Sequence, residues 1–362
     1  MRPTICFLTG TLNAFAGAER MTAVIANGLA ERGYPVCVLS LYDSVSVFPL
    51  HETVTHHALF KERPSYKRAY LATVLGLRRF VRAHAVDVLV EVDPMLTLFT
   101  LPATLGLGIR RIAWEHCHFD EDLGRPARRV ARWIAGWSAA AIVVLTKRDR
   151  EQWVRALHPR APVMVIGNAL PFGFPDKPSP REGRTVLAIG RLVPAKGFDI
   201  LIRAWAHVAA RHPGWRLSIV GEGEQRAALE GSIDAMNLAE RVALPGSTPD
   251  VEAHYRNAAI FCLSSRYEGF GLVLLEAMAF GLPIVSTDCE SGPRELIHDG
   301  VNGLQVPVDD PHALANALCR LIEDASLGGA LGDHARNDAR RHGIDAVIGD
   351  WIDLLRSAPL RE

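Results

Sequence analysis

The stretch Arg266-Tyr267-Glu268-Gly269-Phe270-Gly271-Leu272-Val273-Leu274-Leu275-Glu276-Ala277-Met278-Ala279 decides the reading of this chain. It runs from a strand end, through a turn with two glycines, into a helix that is apolar but for one carboxylate. An apolar helix implies burial, and a lone buried carboxylate is costly unless something polar meets it. Gly269 and Gly271 let the backbone approach a ligand, and the N-terminus at Leu272 offers free N–H groups to an anion. A phosphate-bearing ligand with sugar hydroxyls would use Phe270, the turn, the helix start and both glutamates together.

The strand–turn–helix unit repeats along the chain. Strand candidates in the first half are Ile5–Leu8, Val36–Leu41, Val86–Val90, Arg111–Trp114, Ala141–Leu145 and Val163–Ile166. Helical patterns lie between them at Glu19–Glu31, Tyr66–His84, Arg125–Trp137 and Lys147–Leu157. The alternation resumes with strands at Val186–Ile189, Leu217–Val220, Val242–Leu244, Ile260–Leu263, Ile284–Ser286 and Leu304–Val306, and ends with helices at Pro311–Glu323 and near Ile344–Leu355. Strands alternating with helices predict parallel sheets covered on both faces. The expected fold class is α/β, with two doubly wound, Rossmann-like domains facing one another across a cleft. The domains are 1–172 and 184–342. Residues 173–183, rich in proline and glycine, read as a linker, and 343–362 form a final segment. Ligands of such sheets bind at the carboxyl ends of strands.

Composition narrows the class. The 362 residues are 49% hydrophobic and 22% charged, ordinary for a soluble globular protein. No apolar run reaches the ~20 residues that span a bilayer. The six cysteines are scattered through apolar runs without metal-ligand spacing, which reads as reduced core thiols in a cytoplasmic protein. Net charge is zero but split: residues 1–175 hold 21 Lys/Arg against 14 Asp/Glu, and residues 176–362 hold 19 against 26. The basic helix candidates Tyr66–His84 and Arg125–Trp137, with Arg128, Arg129, Arg132, Trp133 and Trp137, read as a surface for an anionic membrane. The alternative is a solvated helix face over a Trp-rich core.

Several segments, in this order, resemble glycosyltransferase family 4. Gly17-Ala18-Glu19-Arg20 is similar to its N-terminal glycine loop, with Ala16 where the family commonly has a glycine. Trp114-Glu115-His116 resembles its Glu-His segment, with His118 the competing histidine. Gly190-Arg191-Leu192-Val193-Pro194-Ala195-Lys196-Gly197-Phe198-Asp199 resembles its diphosphate-binding segment, and Val220-Gly221-Glu222-Gly223 its next strand-to-helix turn. Glu268 and Glu276 resemble its paired glutamates. The resemblance implies the two-Rossmann GT-B fold, the final helix crossing back to the N-terminal domain, and a retaining, metal-independent hexosyltransferase. It implies that Arg191 and Lys196 hold the diphosphate, that Glu276 meets the ribose, and that Glu268 and His116 lie near the transferred sugar. The donor would be a UDP-linked hexose or N-acetylhexosamine and the acceptor a glycan or polyprenyl-linked molecule of surface polysaccharide or lipopolysaccharide synthesis. Ser291–Leu296 points weakly to the same class. Ser247-Thr248-Pro249-Asp250 is a candidate lining for the base. Asp120-Glu121-Asp122 spells an acid-x-acid pattern, but loop acids before a helix suit its dipole. No metal, no cofactor and no nucleic acid partner is expected. The rival readings are a nucleotide-sugar epimerase of related architecture and a catalytically silent sugar-nucleotide sensor.

Overall fold

Among the described residues thirteen strands form, all paired in parallel, and the central ones are short runs of Val, Ile, Leu, Ala and Cys because both faces of each sheet are covered there, so inward and outward side chains alike are apolar. The computed structural model describes residues 2–65, 67–122, 124–248, 250–290 and 292–357. It divides into two units, Met1–Pro171 with Ile344–Glu362, and Phe172–Gly343.

The first unit runs β1 (Ile5–Thr9), α1 (Gly17–Glu31), β2 (Val36–Tyr42), β3 (Thr55–Phe60), α2 (Tyr70–Ala83), β4 (Val88–Glu91), α3 (Thr97–Thr104), β5 (Arg110–Trp114), α4 (Ala127–Ser138), β6 (Ala141–Val144), α5 (Lys147–Leu157) and β7 (Val163–Val165). Its seven-stranded sheet has the order β3-β2-β1-β4-β5-β6-β7. The second unit runs β8 (Thr185–Ile189), α6 (Phe198–Arg211), β9 (Arg216–Val220), α7 (Arg226–Ala235), β10 (Val242–Gly246), α8 (Val251–Asn257), β11 (Ile260–Leu263), α9 (Leu272–Ala279), β12 (Ile284–Thr287), α10 (Gly292–Leu296), β13 (Leu304–Val306), α11 (Pro311–Glu323) and α12 (Ala325–Ala339). Its six strands have the order β10-β9-β8-β11-β12-β13. The last helix, α13 (Ile344–Ser357), belongs to the first unit.

Edge strand β3 is absent from the sequence reading. It pairs only with β2 and carries His56 and His57 at half-buried positions, so it lacks the apolar signature of a central strand. Helix α2 begins at Tyr70, later than the pattern suggests; Tyr66 lies outside the described residues, as do Leu123, Pro249 and Ser291. Residues 173–183 form no helix or strand but are docked on the second unit. The Ser179 amide donates to the Phe280 carbonyl at 2.7 Å, and its hydroxyl donates to the Ala258 carbonyl at 2.8 Å.

Helix α13 completes the first core. It packs on α1, where Gly28 leaves room for Ile348. Trp351, 1% exposed, lies with its ring centroid 4.9 Å from Trp114 and 6.2 Å from Phe7. Trp351→Ala is therefore expected to lower unfolding free energy by ~3–5 kcal/mol. Denaturant melts would measure the loss, and an unchanged midpoint would contradict this account of the core.

Candidate active site

In a doubly wound sheet the crevice opens where strand order reverses. In the second unit that point lies between β8 and β11. The segment after β8 contains Arg191 and Lys196, and the segment after β11 contains Glu268. The fold joins them: Lys196 Nζ donates to Glu268 Oε1 at 2.5 Å, and the Ser265 hydroxyl donates to the same oxygen at 2.7 Å. Glu268 is only 8% exposed, so an ammonium and a hydroxyl at this distance are what make its burial tolerable.

The Lys196 turn is held by its backbone. Pro194–Lys196 is a single 3₁₀ turn, too short to be stable alone. Its three successive carbonyls accept from the β11 side: Pro194 from the Arg266 guanidinium at 2.6 Å, Ala195 from the Arg266 amide at 2.8 Å, and Lys196 from the Ser264 hydroxyl at 2.9 Å. Arg266 also grips Asp199 through both terminal nitrogens, at 2.9 and 2.8 Å, and meets Asp309 at 2.8 Å. Gly197 has a φ of 62°, and an added Cβ would overlap the Ser264 carbonyl. At Gly221, φ 150°, a Cβ would overlap the Gly190 carbonyl, so the ends of β8 and β9 also meet through bare backbone.

Helix α9 starts at Gly271 with φ 83°, and no side chain caps it. The N–H groups at Leu272 and Val273 thus lie at an uncapped, positive helix end beside Gly269 and Phe270. Glu276 is 1% exposed, and the Tyr255 hydroxyl lies 2.9 Å from its Oε2. Tyr255 is fully buried and stacked on Phe280 at 5.4 Å. Helical side chains lean toward the N-terminus, which turns the Glu276 carboxylate toward the same end of α9. Arg191 is exposed and, among the described residues, makes no ion pair.

The first unit places Glu115 and His116 after β5. Glu115, 1% exposed, is held by Arg132 at 2.6 Å and Arg128 at 3.3 Å, and Arg128 also pairs with Asp93 at 2.6 Å. Burial raises the Glu115 carboxyl above its usual value, while Arg132 and Arg128 oppose that shift. Arg132 also donates to the carbonyls of His118, Phe119 and Glu121, fastening the loop after His116. This corrects the sequence reading of a basic membrane surface on α4: Arg128 and Arg132 are each 2% exposed and serve inside the unit, and only Arg129 of the three faces solvent. The His116 ring lies 4.2 Å from that of Trp114, and its Nε2 is buried without a hydrogen-bond partner among the described residues. Burial pushes this imidazole from about 6.5 down to about 3, so it is neutral at physiological pH. Gly17 opens α1 without a side-chain cap, and Ala16 is extended at φ −135°, a conformation open to any residue.

Asp122 pairs with Arg129 at 3.1 Å, and Asp120 lies 3.9 Å from Arg148. Among the described residues, the grouping with metal-ligand spacing is His212, Cys319 and Glu323. It stands at the far end of α6 from the Lys196 turn, and Arg211 occupies Glu323 at 2.8 Å. Sequence reasoning did not find Tyr255, Ser265, the Arg266–Asp199 clasp, or Asn168, whose buried Oδ1 has no partner among the described residues. Arg266 adjoins the glutamate turn and carries a signal in its position; Tyr255 carries none, since only folding brings α8 to α9.

Parallel α/β sheets with charged groups at a switch point are a setting in which nucleotides bind. Comparison makes the class specific. The description "Glycosyltransferase Family 4" matches residues 15–174 and "Glycosyl transferases group 1" matches residues 183–324. The chain is 31% identical to an uncharacterized glycosyltransferase of Haemophilus influenzae, covering 97% of this chain and 99% of that one. It is 26% identical to the amylovoran biosynthesis glycosyltransferase AmsD of Erwinia amylovora, over 98% of this chain and 100% of the relative. The crystal structure of Anabaena Alr3699/HepE in complex with UDP superposes with a TM-score of 0.82 at 23% identity, covering 98% of this chain and all of that one. The chain belongs to glycosyltransferase family 4 and has the GT-B fold.

Two outcomes follow from this geometry. The unfolded chain binds a proton at His116 below about pH 6.5 that the folded protein refuses until about pH 3. Stability therefore falls as pH drops through that window, by up to about 1.4 kcal/mol per pH unit from this group. Melts of wild type and His116→Gln between pH 7 and pH 4 should diverge, with wild type losing more; parallel curves would remove His116 from the balance. Arg266→Ala should loosen the Lys196 turn and lower transfer more than tenfold, as expected for a positioning residue carrying a bidentate pair. The decisive comparison is Arg266→Lys, which keeps the charge but not the fork and should restore only part of the rate.

Proposed function

We propose that this protein transfers a hexose or N-acetylhexosamine, with retention of anomeric configuration, from a UDP-linked sugar to a glycan or lipid-linked acceptor in cell-surface polysaccharide synthesis. The observation that carries this reading is the Lys196–Glu268 pair at the β8/β11 switch point, 2.5 Å apart and beside the uncapped start of α9. An ammonium, an exposed guanidinium at Arg191 that makes no ion pair among the described residues, and a positive helix end converge in sequence and fold on one strand-end region. Together they suit a diphosphate.

Lys196 has three N–H bonds and uses one on Glu268, so it can hold a phosphate oxygen while still orienting that carboxylate. Glu268, fixed by Lys196 and Ser265, then presents its other oxygen to sugar hydroxyls. Glu276, steadied by Tyr255, accepts from the ribose. In the reaction the bond between the anomeric carbon and the diphosphate oxygen breaks. The acceptor hydroxyl oxygen bonds that carbon from the same face, and its proton passes to the departing diphosphate. Arg191, Lys196 and the Leu272 helix end stabilise the negative charge that develops. These groups supply that stabilisation without a divalent cation. His116 is neutral, so it can make hydrogen bonds but is not an acid of ordinary imidazole strength. We assign the donor to the second unit and the acceptor to the first. Uridine is chosen because the structurally similar HepE was crystallised with UDP, and polysaccharide synthesis because of the likeness to AmsD. The six free cysteines fit a reducing, cytoplasmic compartment.

The test is mass spectrometry of a nucleotide-sugar panel with and without polyprenyl-diphosphate-linked acceptors. NMR of the new linkage reports its configuration. An acceptor-dependent product with the donor's anomeric configuration is expected, and activity should persist in saturating chelator. Product formed without acceptor, or an inverted linkage, would overturn the assignment. Variants separate the roles. Lys196→Ala should weaken UDP binding by roughly tenfold or more, since charge-assisted contacts are worth ~1.5–3 kcal/mol. Glu276→Gln should also weaken it. Glu268→Gln should bind UDP no more weakly than wild type, because it releases Lys196, yet should transfer sugar poorly. Calorimetry with UDP beside initial rates decides; equal loss of UDP affinity in both glutamate variants would refute the division.

A further inference from the structure

Helices α6 and α11 of the second unit pack side by side. His207 of α6 meets His312 near the start of α11, with ring centroids 4.7 Å apart, and His212, the C-cap of α6, meets Glu323, the last residue of α11. The two helices therefore run in the same direction and end together. A helix C-terminus leaves carbonyls without intrahelical partners and carries the negative end of the dipole, so two of them side by side favour a cation.

Three side chains of metal-ligand type converge at this junction. Cys319 and Glu323 are four residues apart on α11 and so share one face, and His212 comes from α6. A ring nitrogen, the thiol sulfur and a carboxylate oxygen all lie within 4.8 Å of one another. Cys319 belongs to the core of the unit, which fixes the position of its sulfur, while Glu323 is half exposed. His212 Nε2 is buried and has no hydrogen-bond partner among the described residues, although it lies 3.1 Å from Glu323 Oε1. A tetrahedral cation bound at ~2.0–2.1 Å sets its nitrogen and oxygen ligands about 3.3 Å apart, so this close approach without a hydrogen bond has the length of a tetrahedron edge. Arg211 donates to the same Glu323 oxygen at 2.8 Å, but its side chain is more than half exposed and the carboxylate has a second oxygen. An exposed pair of this kind contributes little and gives way to a cation. Imidazole and thiolate together exclude Ca²⁺ and Mg²⁺, which take oxygen ligands, and suit Zn²⁺.

We propose that His212 Nε2, Cys319 Sγ and the Glu323 carboxylate bind one Zn²⁺, which fastens the C-terminal ends of α6 and α11 to each other. The fourth ligand comes from solvent on the exposed Glu323 side. Helix α6 begins directly after the Lys196 turn and has 14 residues, which puts the ion about 21 Å along the helix from that turn. The ion is a clamp on the fold and takes no part in the reaction assigned above, so the two can hold or fail independently.

The full chain, stripped with chelator and desalted, would be titrated with Zn²⁺ against a chromophoric chelator. One ion should bind per chain, and the melting temperature should rise when it does. Co²⁺ in its place should give the thiolate-to-metal charge-transfer band and the visible bands of a four-coordinate site. His212→Gln, Cys319→Ala and Glu323→Gln should each weaken Zn²⁺ binding at least about tenfold. His212→Gln and Glu323→Gln change side chains at helix ends, so their melting without metal should match wild type; these two keep the test valid where Cys319→Ala disturbs the core. Arg211→Gln, which frees Glu323 and removes a positive charge, should tighten binding. His207→Gln/His312→Gln should bind like wild type. Absence of stoichiometric Zn²⁺ binding, or a Co²⁺ spectrum without the thiolate band, would overturn the proposal. So would binding that survives the His212 and Cys319 variants but is lost in the His207/His312 pair, because the ion would then be an adventitious ion only, held by surface histidines. None of these readouts depends on sugar transfer.

Discussion

Everything at the second unit's strand ends depends on Lys196 and Glu268 being held against each other. A carboxylate 8% exposed has lost most of its water and must be met by charge. The ammonium that meets it stands on a three-residue turn with little stability of its own. The protein resolves this by giving each carbonyl of that turn a donor from the β11 segment, so that two sequence-distant loops behave as one rigid piece. Glycine appears where this stitching brings backbone onto backbone, at Gly197 against Ser264 and Gly221 against Gly190. A Cβ at either position would push the loops apart. Small residues and a forked Arg266 are thus part of the same device as the two charges.

The first unit uses charge differently. Glu115, Arg128, Arg132 and Asp93 form a buried network whose outward effect is mechanical: Arg132 reaches three loop carbonyls and sets the path of the chain after His116. His116 leans on Trp114, which in turn packs on Trp351 of the last helix. A residue of the last helix thereby supports the His116 ring through Trp114. Burial keeps that imidazole neutral, which makes it a hydrogen-bonding group across the physiological range.

Arginines of one sequence cluster therefore have opposite fates. On α4, positions 128 and 132 are one turn apart and point inward, while position 129 points to solvent. Charge counting treats all three as surface, and the basic cluster with Trp133 and Trp137 beside it reads as a membrane face on that ground. The exposed tryptophans on the opposite side of the helix are what give α4 its unusual outer surface.

Much was legible in the chain because parallel sheets announce themselves. Strands buried on both faces must be apolar throughout, and helices between them must be periodic, so twelve strands, the α/β class and the landmarks at their carboxyl ends could be read directly. The turn glycines and the glutamate pair were legible for the same local reason: a tight turn into a buried helix admits few residues. Edge strand β3 was not, because a strand paired on one side tolerates His56 and His57. Only tertiary structure decided which charges face each other. Lys196 and Glu268 are 72 residues apart, Tyr255 meets Glu276 from another helix, and Arg132 meets Glu115 across a loop. Sequence spacing encodes the period of an element and the chemistry of a turn. The partner of a buried charge is set by strand order and by which helix packs over which, and those are properties of the folded sheet alone.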